Sequence, residues 1–217
     1  MKLYIADLHF YHENVIKLDN RQFADIRSMN QHIVNQWNTK VKGGDIVIVL
    51  GDLFWSKNPD EINWILNRLT GKICLIEGNH DNRWLRKEGV NLDRFEWIKP
   101  YAELSDGDYT VIANHYPVFC YNHQYLKLKN GNPGTYMLYG HVHNTQDEIL
   151  VNQFQELTRN TVLKSCNGDT TIPCNMINCF CEFCDYTPLS LEEWIGVDEK
   201  RRKLIKIPEG QIIQKIM

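Results

Sequence analysis

Five short pieces of this chain constrain its fold more than anything else in it, because each sets metal-ligand residue types directly after an apolar, β-rich run. Residues 3–6 run into Asp7-Leu8-His9, residues 46–50 into Gly51-Asp52-Leu53-Phe54, and residues 72–77 into Gly78-Asn79-His80-Asp81. Residues 109–113 run into Asn114-His115, and residues 136–139 into Gly140-His141-Val142-His143. The carboxyl ends of strands are where open α/β sheets assemble their sites. One such piece is a weak signal; five at equivalent positions predict strands that deliver polar side chains to one common edge.

The segments between them follow helix and turn chemistry. Ser28 as N-cap, with Met29, Ile33, Val34 and Trp37 on one stripe, predicts a helix over 28–38. Pro59 opens a second helix with Asp60 and Glu61 in its first turn, an apolar face of Ile62, Ile65, Leu66 and Leu69, and Gly71 at its end. The strand–helix–strand run from 46 to 77 predicts a right-handed crossover and a parallel pair. Asp106-Gly107 predicts a hairpin between 98–104 and 109–114, and so antiparallel pairing in the second half. Residues 121–134 read as a polar loop, 144–160 as a surface insertion or loosely packed helix, and 175–183 as a late strand. Leu189 to Ile195 reads as a short helix capped by Ser190. Nothing reads as a repeat or linker, and 217 residues are enough for one core, so 1–217 is expected to be a single domain.

Composition narrows the surroundings. With 43% apolar and 24% charged residues the chain reads as soluble, and a net charge of −3 gives no global basic footprint, leaving nucleic acid only a local patch. No apolar run approaches the roughly 18 residues of a membrane span, and Asp7 and His9 interrupt any signal-peptide pattern. Seven cysteines, an odd number, point to reduced thiols and a cytoplasmic address. The alternating apolar tail from residue 204 is a candidate homodimer arm.

Asp7, His9, Asp52, Asn79, His115, His141 and His143 are seven candidate oxygen and imidazole ligands, a mixture suited to Mn, Fe, Zn or Ni, with Mn favoured. Seven exceed what one tetrahedral ion takes. They suit two divalent ions that share a bridging carboxylate about 3.5–4 Å apart, the arrangement that hydrolyses phosphate esters. His80 stands beside Asn79 outside the ligand count and is a natural general acid for a leaving oxygen. Asp81 is placed to hold its imidazole.

These pieces, Asp7-x-His9, Gly51-Asp52, Gly78-Asn79-His80-Asp81, His115 and Gly140-His141-x-His143, resemble in order the calcineurin-like metallophosphoesterase superfamily. The likeness spans residues 1–145 by motif and is closest to small single-domain bacterial and phage phosphoesterases. It implies an α/β (α+β) fold, a four-layer αββα sandwich of two mixed sheets flanked by helices. It also implies Asp7, His9, Asp52 and His143 around one metal, and Asp52, Asn79, His115 and His141 around the other. His80 would then protonate the leaving group, oriented by Asp81. The arginine-bearing stretch of the superfamily's protein phosphatases is replaced here by Gly51-Asp52-Leu53-Phe54-Trp55, and Trp55 stands near where its nucleases often place a histidine.

The expected activity is therefore a metal-dependent phosphoesterase acting on a small phosphoester. A nucleotide-like phosphodiester is preferred because no Arg or Lys lies inside the motifs, although Arg83 and Arg86 follow the third. A phosphomonoesterase, a nuclease and an inactive protein-binding scaffold are the alternatives. His12 and Arg83 are candidate substrate contacts, and Phe10, Tyr11, Trp55 and Trp84 either line the cleft or cap the core. Tyr116 and Pro117 are read as loop-fixing, and His32 and His123 as solvated. Cys174, Cys179, Cys181 and Cys184 have a spacing that admits a zinc site, but on a strand they read better as small buried core residues. Lys200-Arg201-Arg202-Lys203 reads as a solvated tail.

Overall fold

The computed structural model describes residues 1–164, 166 and 168–204. Two four-stranded sheets lie face to face. The first comprises β1 (Lys2–Ile5), β2 (Ile46–Val49), β3 (Lys72–Ile76) and β4 (Phe95–Lys99), in that order and all parallel. The second comprises β5 (Tyr101–Asp106), β6 (Tyr109–Asn114), β7 (Thr135–Tyr139) and β8 (Met176–Asn178). The period-2 alternation of strands sorts the core into layers. Leu3, Ile5, Val47, Val49, Ile73 and Leu75 pack outward against α2 (Ile26–Lys40) and α3 (Pro59–Leu66). Tyr4, Ala6, Ile48, Leu50, Cys74 and Ile76 pack inward against Ala102, Val111, Ala113, Leu138 and Ile177 of the second sheet. That sheet's other face, with Ile112, Met137, Tyr139 and Met176, packs on Val151 of α5 (Gln146–Asn160). The result is the expected four-layer αββα sandwich, except that only the second sheet is mixed: the first is all parallel, its strands being joined by helical crossovers and not by hairpins.

Several expectations shift in detail. Helix α2 begins two residues before Ser28, because Asp25 is the N-cap: its carboxylate accepts from Ser28 N at 2.7 Å and Ser28 Oγ accepts from Asp25 N at 3.3 Å. Residues 98–104 are not one strand. Pro100 lacks the N–H to continue β4, and the chain passes there from the first sheet to the second. The Asp106-Gly107 hairpin is present, joining β5 and β6 in antiparallel register, but β6–β7 and β7–β8 are parallel. Residues 144–160 contain a full helix, α5, capped by Thr145. The late strand stops at Asn178, and Cys181–Cys184 form a 3-10 turn. Ser190 does cap α6 (Leu191–Arg202), in a reciprocal pair with Glu193. The basic run is no tail: Arg201 lies over the Phe183 ring and donates to buried Glu148 at 3.1 Å, and Arg202 Nε lies 2.7 Å from Asp198. Two short helices, α1 (Glu13–Leu18) and α4 (Asn82–Leu85), have too few residues for a periodic signal. Among the described residues no helix is long and apolar enough to cross a membrane. The apolar tail, except Leu204, lies outside the described residues.

Candidate metal centre

Each of the five sequence pieces ends on the edge between the two sheets, and the backbone there is forced to turn sharply. Asp7, His9, Asp52, His141 and His143 all have φ between 46° and 70°, in the left-handed region. For a non-glycine residue that conformation costs roughly 1–2 kcal/mol each, and such outliers persist only where the surroundings hold them. Glycines supply the room. A Cβ on Gly51 would overlap the His115 ring, standing 2.7 Å from its Cγ and closer still to Nδ1, and one on Gly140 would stand 2.6 Å from Asp7 Oδ2. On Gly78 it would stand 2.5 Å from Asp52 N and overlap the Asp52 carboxylate. The glycines before Asp52, Asn79 and His141 are thus there for close approach between loops.

All seven candidate ligands converge. Asp7, His9 and His143 offer one group of donor atoms within 4.8 Å of one another, and Asp7, Asp52 and His115 offer a second. Asn79 Oδ1 lies 2.9 Å from both His115 Nε2 and His141 Nδ1. Three imidazole Nε2 atoms face one oxygen, Asp52 Oδ2: His115 at 3.6 Å, His9 at 3.7 Å and His80 at 3.8 Å. His9 and His143 bring their Nε2 atoms to 3.2 Å. For bonds of about 2.1 Å, neighbouring ligands of a tetrahedral or octahedral ion stand roughly 3.0–3.4 Å apart. The observed separations bracket that range.

Tautomers sharpen the point. His115 Nδ1 lies 2.8 Å from the Leu50 carbonyl and His143 Nδ1 lies 2.8 Å from Asp19 Oδ1. Both partners only accept, so each Nδ1 carries the hydrogen, and each ring when neutral aims an Nε2 lone pair inward. Those lone pairs face carboxylate oxygens: Asp52 for His115, and Asp7 at 3.7 Å for His143. Lone pairs facing lone pairs in a buried pocket fit divalent cations. Burial also lowers the pKa of His9, His115 and His141, keeping those rings neutral as metal ligands must be, and raises those of Asp7 and Asp52, whose negative charge a bound cation would offset. His143 departs from this: burial pulls it down, but the Asp19 hydrogen bond and the Asp7 charge outweigh that and raise it.

The supporting groups escaped sequence reading. Asp19 orients His143, and buried Arg21 donates to Asp19 at 2.9 Å and to the backbone carbonyls of Asp7 and Leu8, both at 3.0 Å. In sequence, Asp19-Asn20-Arg21 is indistinguishable from a solvated polar stretch. Phe180 stacks on His143 with ring centres 4.7 Å apart, and Asn178 Nδ2 donates to the His143 carbonyl at 2.8 Å.

Asp81 does not hold the His80 imidazole. Its Oδ1 accepts from Leu53 N and Trp84 Nε1, and its Oδ2 accepts from Asp52 N and Gly78 N. Burial, with the Asp52 charge added, pushes this carboxyl up to about 7. Yet four donors surround it and a proton there would find no acceptor, so the carboxylate is the form the pocket accommodates. Asp81 is a clamp on two ligand loops. His80 is on the rim, and its backbone N–H donates to Asp52 Oδ1 at 2.9 Å. Its pKa is lowered by burial and by Arg83, against the pull of Asp52.

The remaining candidates fall into place around this centre. His12 is buried next to His9, with ring centres 5.2 Å apart, and stacks on Trp55 at 3.8 Å and 3°. The Arg83 guanidinium lies over Trp55 at 4.3 Å, and Trp55 meets His80 edge-on at 4.8 Å. Phe10 and Trp84 are core residues. Tyr116 is exposed and packs edge-on against His141 at 4.5 Å. His32 is not free in solvent, lying 3.0 Å from Asp185. The cysteines are all free thiols: Cys174, Cys179 and Cys181 are buried, Cys184 partly so, and each lies against a backbone carbonyl.

Known proteins resemble this chain in sequence and in fold. An uncharacterized protein of Methanocaldococcus jannaschii, MJ1445, is 45% identical over 82 residues, which are 37% of this chain and 47% of that protein; the match thus spans about half of the relative's length. A crystal structure of AQ665, a protein of unknown function from Aquifex aeolicus, superposes with a TM-score of 0.60 at 24% identity, covering 94% of this chain and 99% of that one. The family profile described as calcineurin-like phosphoesterase matches residues 3–164, three quarters of the sequence and the stretch in which all seven candidate ligands lie, and the chain belongs to that family.

Proposed function

We propose that this protein is a dinuclear-metal-dependent phosphodiesterase that hydrolyses a nucleotide-like or other small phosphodiester, with manganese as the working ion. The observation that carries the reading is the convergence of three imidazole Nε2 atoms on Asp52 Oδ2. That oxygen lies 3.7 Å from His9 of the first ligand group and 3.6 Å from His115 of the second, which supports Asp52 as the carboxylate that two ions would share. When bound, divalent ions supply Lewis acidity, lowering the pKa of a water and offsetting phosphate charge.

The protein's own residues do the rest. Asp19, Arg21, Asp81 and the Leu50 carbonyl fix the ligands before substrate arrives, so little reorganisation is left for the reaction. Water adds to phosphorus, the bond from phosphorus to the leaving oxygen breaks, and His80 at the rim gives that oxygen a proton. Burial and Arg83 make His80 a poor holder of its proton in the free protein, and the negative charge of a bound phosphate favours its protonation. A complete donor set argues against a scaffold that has lost its chemistry.

The test uses metal-stripped protein reconstituted with Mn, Ni, Zn or Mg, assayed on bis(4-nitrophenyl) phosphate and 4-nitrophenyl phosphate. Metal-dependent turnover favouring the diester is expected. His80→Ala should lower kcat about 10²–10⁴-fold, the usual share of a general acid, with metal content unchanged. Near-full activity in that variant would remove His80 from the chemistry, and a monoester preference would overturn the diester reading.

A further inference from the structure

The indole of Trp55 beside the metal centre is covered on both faces. His12 stacks on it with ring centres 3.8 Å apart, and the Arg83 guanidinium carbon lies 4.3 Å from its centre. A plane stacked on an aromatic ring stands about 3.5 Å above it, which puts both groups within roughly 2.5 Å of the indole axis. Side by side on one face they would overlap, so they occupy opposite faces. No face remains on which a base or other planar leaving group can stack.

What the stack presents instead is charge. Arg83 is exposed, and among the described residues no carboxylate or carbonyl accepts from its guanidinium. Its position is held from two sides. Trp84, the next residue, is buried and anchored on Asp81 at 2.8 Å, while Trp55 supports the guanidinium plane. A guanidinium with free, oriented N–H groups is suited to bidentate capture of a carboxylate or phosphate. Trp55 also touches His80, so this cation flanks the group that faces the departing oxygen.

We infer that the leaving group of the natural substrate carries a negative charge of its own, a phosphate or carboxylate, and that Arg83 receives it. This rests on phosphoester hydrolysis at the metal centre and narrows its substrates to those selected by charge, not by stacking, on the leaving side. Hydrolysis then releases a phosphorylated fragment and an anionic alcohol.

Two pairs of probes test it. The first pair is two methyl aryl phosphates whose leaving phenol carries a carboxylate or the matching carboxamide, assayed with manganese-loaded protein. The second is 3-phosphonopropionate against propylphosphonate, measured by calorimetric binding, which needs no turnover. Wild type should favour the carboxylate member of each pair by about tenfold, the factor a charge-assisted hydrogen bond carries. Arg83→Ala should bring both ratios close to one, and Arg83→Lys should keep part of the preference, separating charge recognition from loss of the stack. Equal binding of the two phosphonates by wild type, or a preference that survives Arg83→Ala, overturns the inference. If wild type hydrolyses neither ester, the phosphodiesterase reading fails, and the phosphonates still decide whether Arg83 reads the second anion.

Discussion

Replacing Asp81 by asparagine changes one atom and separates two roles for this residue. The Asp81 carboxylate accepts four hydrogen bonds, from Asp52 N at 2.8 Å, Gly78 N at 2.9 Å, Leu53 N at 3.0 Å and Trp84 Nε1 at 2.8 Å. Each oxygen takes two of them. An asparagine has one oxygen and one NH2, so either orientation points an NH2 at two buried donors. Leaving a buried donor unsatisfied costs about 1–3 kcal/mol, and the two surviving bonds fall from charge-assisted to neutral strength. Together Asp81→Asn should cost roughly 3–6 kcal/mol, a large part of the 5–15 kcal/mol that folds a typical domain. Urea unfolding of the metal-free protein measures this directly, and metal titration should show weakened binding as the Asp52 and Gly78 loops lose their common anchor. Unfolding within about 1 kcal/mol of wild type would refute the clamp. If kcat fell as well, with metal affinity intact, Asp81 would act through the His80 imidazole after all.

Other changes probe neighbouring parts. Gly78→Ala puts a Cβ 2.5 Å from Asp52 N and should displace that loop and lower metal content by elemental analysis, whereas Gly43→Ala, with nothing within 4 Å, should bind like wild type. Asp19→Ala leaves His143 without its 2.8 Å partner and should weaken metal binding about 10–100-fold in chelator competition, the usual cost of losing such a support. Asp198 titrates away from the centre: burial raises it to about 6, against the pull of Arg202, Arg201 and Arg159. A carboxyl raised in the folded state above an unfolded value near 3.9 stabilises fully below that value, and the stabilisation is lost as pH rises through about 6. Stability should therefore fall by up to about 3 kcal/mol between pH 4 and pH 6 from this group, and the slope should flatten in Asp198→Asn.

The layered fold and the ligand-bearing edge were legible because their signals are local. An apolar run of four to six residues followed by Asp, His or Asn is the same in the sequence as in the sheet. Pro100 shows the limit: the residues on either side of it, Phe95 to Lys99 and Tyr101 to Leu104, interleave apolar and polar in the same way, and only the packing of two sheets reveals that a strand ends there. The late cysteines illustrate the same point, since Cys181 sits in a turn whose thiol donates to the Asp7 carbonyl, not on a strand. Asp19 and Arg21 were illegible because their partners, His143 and the Asp7 and Leu8 carbonyls, are fixed by tertiary contacts that no spacing records. Asp81 was legible as important and misjudged in role, because adjacency to His80 in the chain is not adjacency of side chains.

The left-handed backbone at five ligands bears on which substitutions an unselected chain would accumulate. At His9, His141 and His143 the most comfortable residue for the main chain is glycine, and at Asp7 and Asp52 asparagine is scarcely worse than what is present. Random drift scored on thermal stability alone would thus tend to erase the imidazoles first, giving proteins that melt higher and bind nothing. A stability-guided redesign of this protein would need those five positions held fixed, since there the optimum for folding and the optimum for chemistry point to different amino acids.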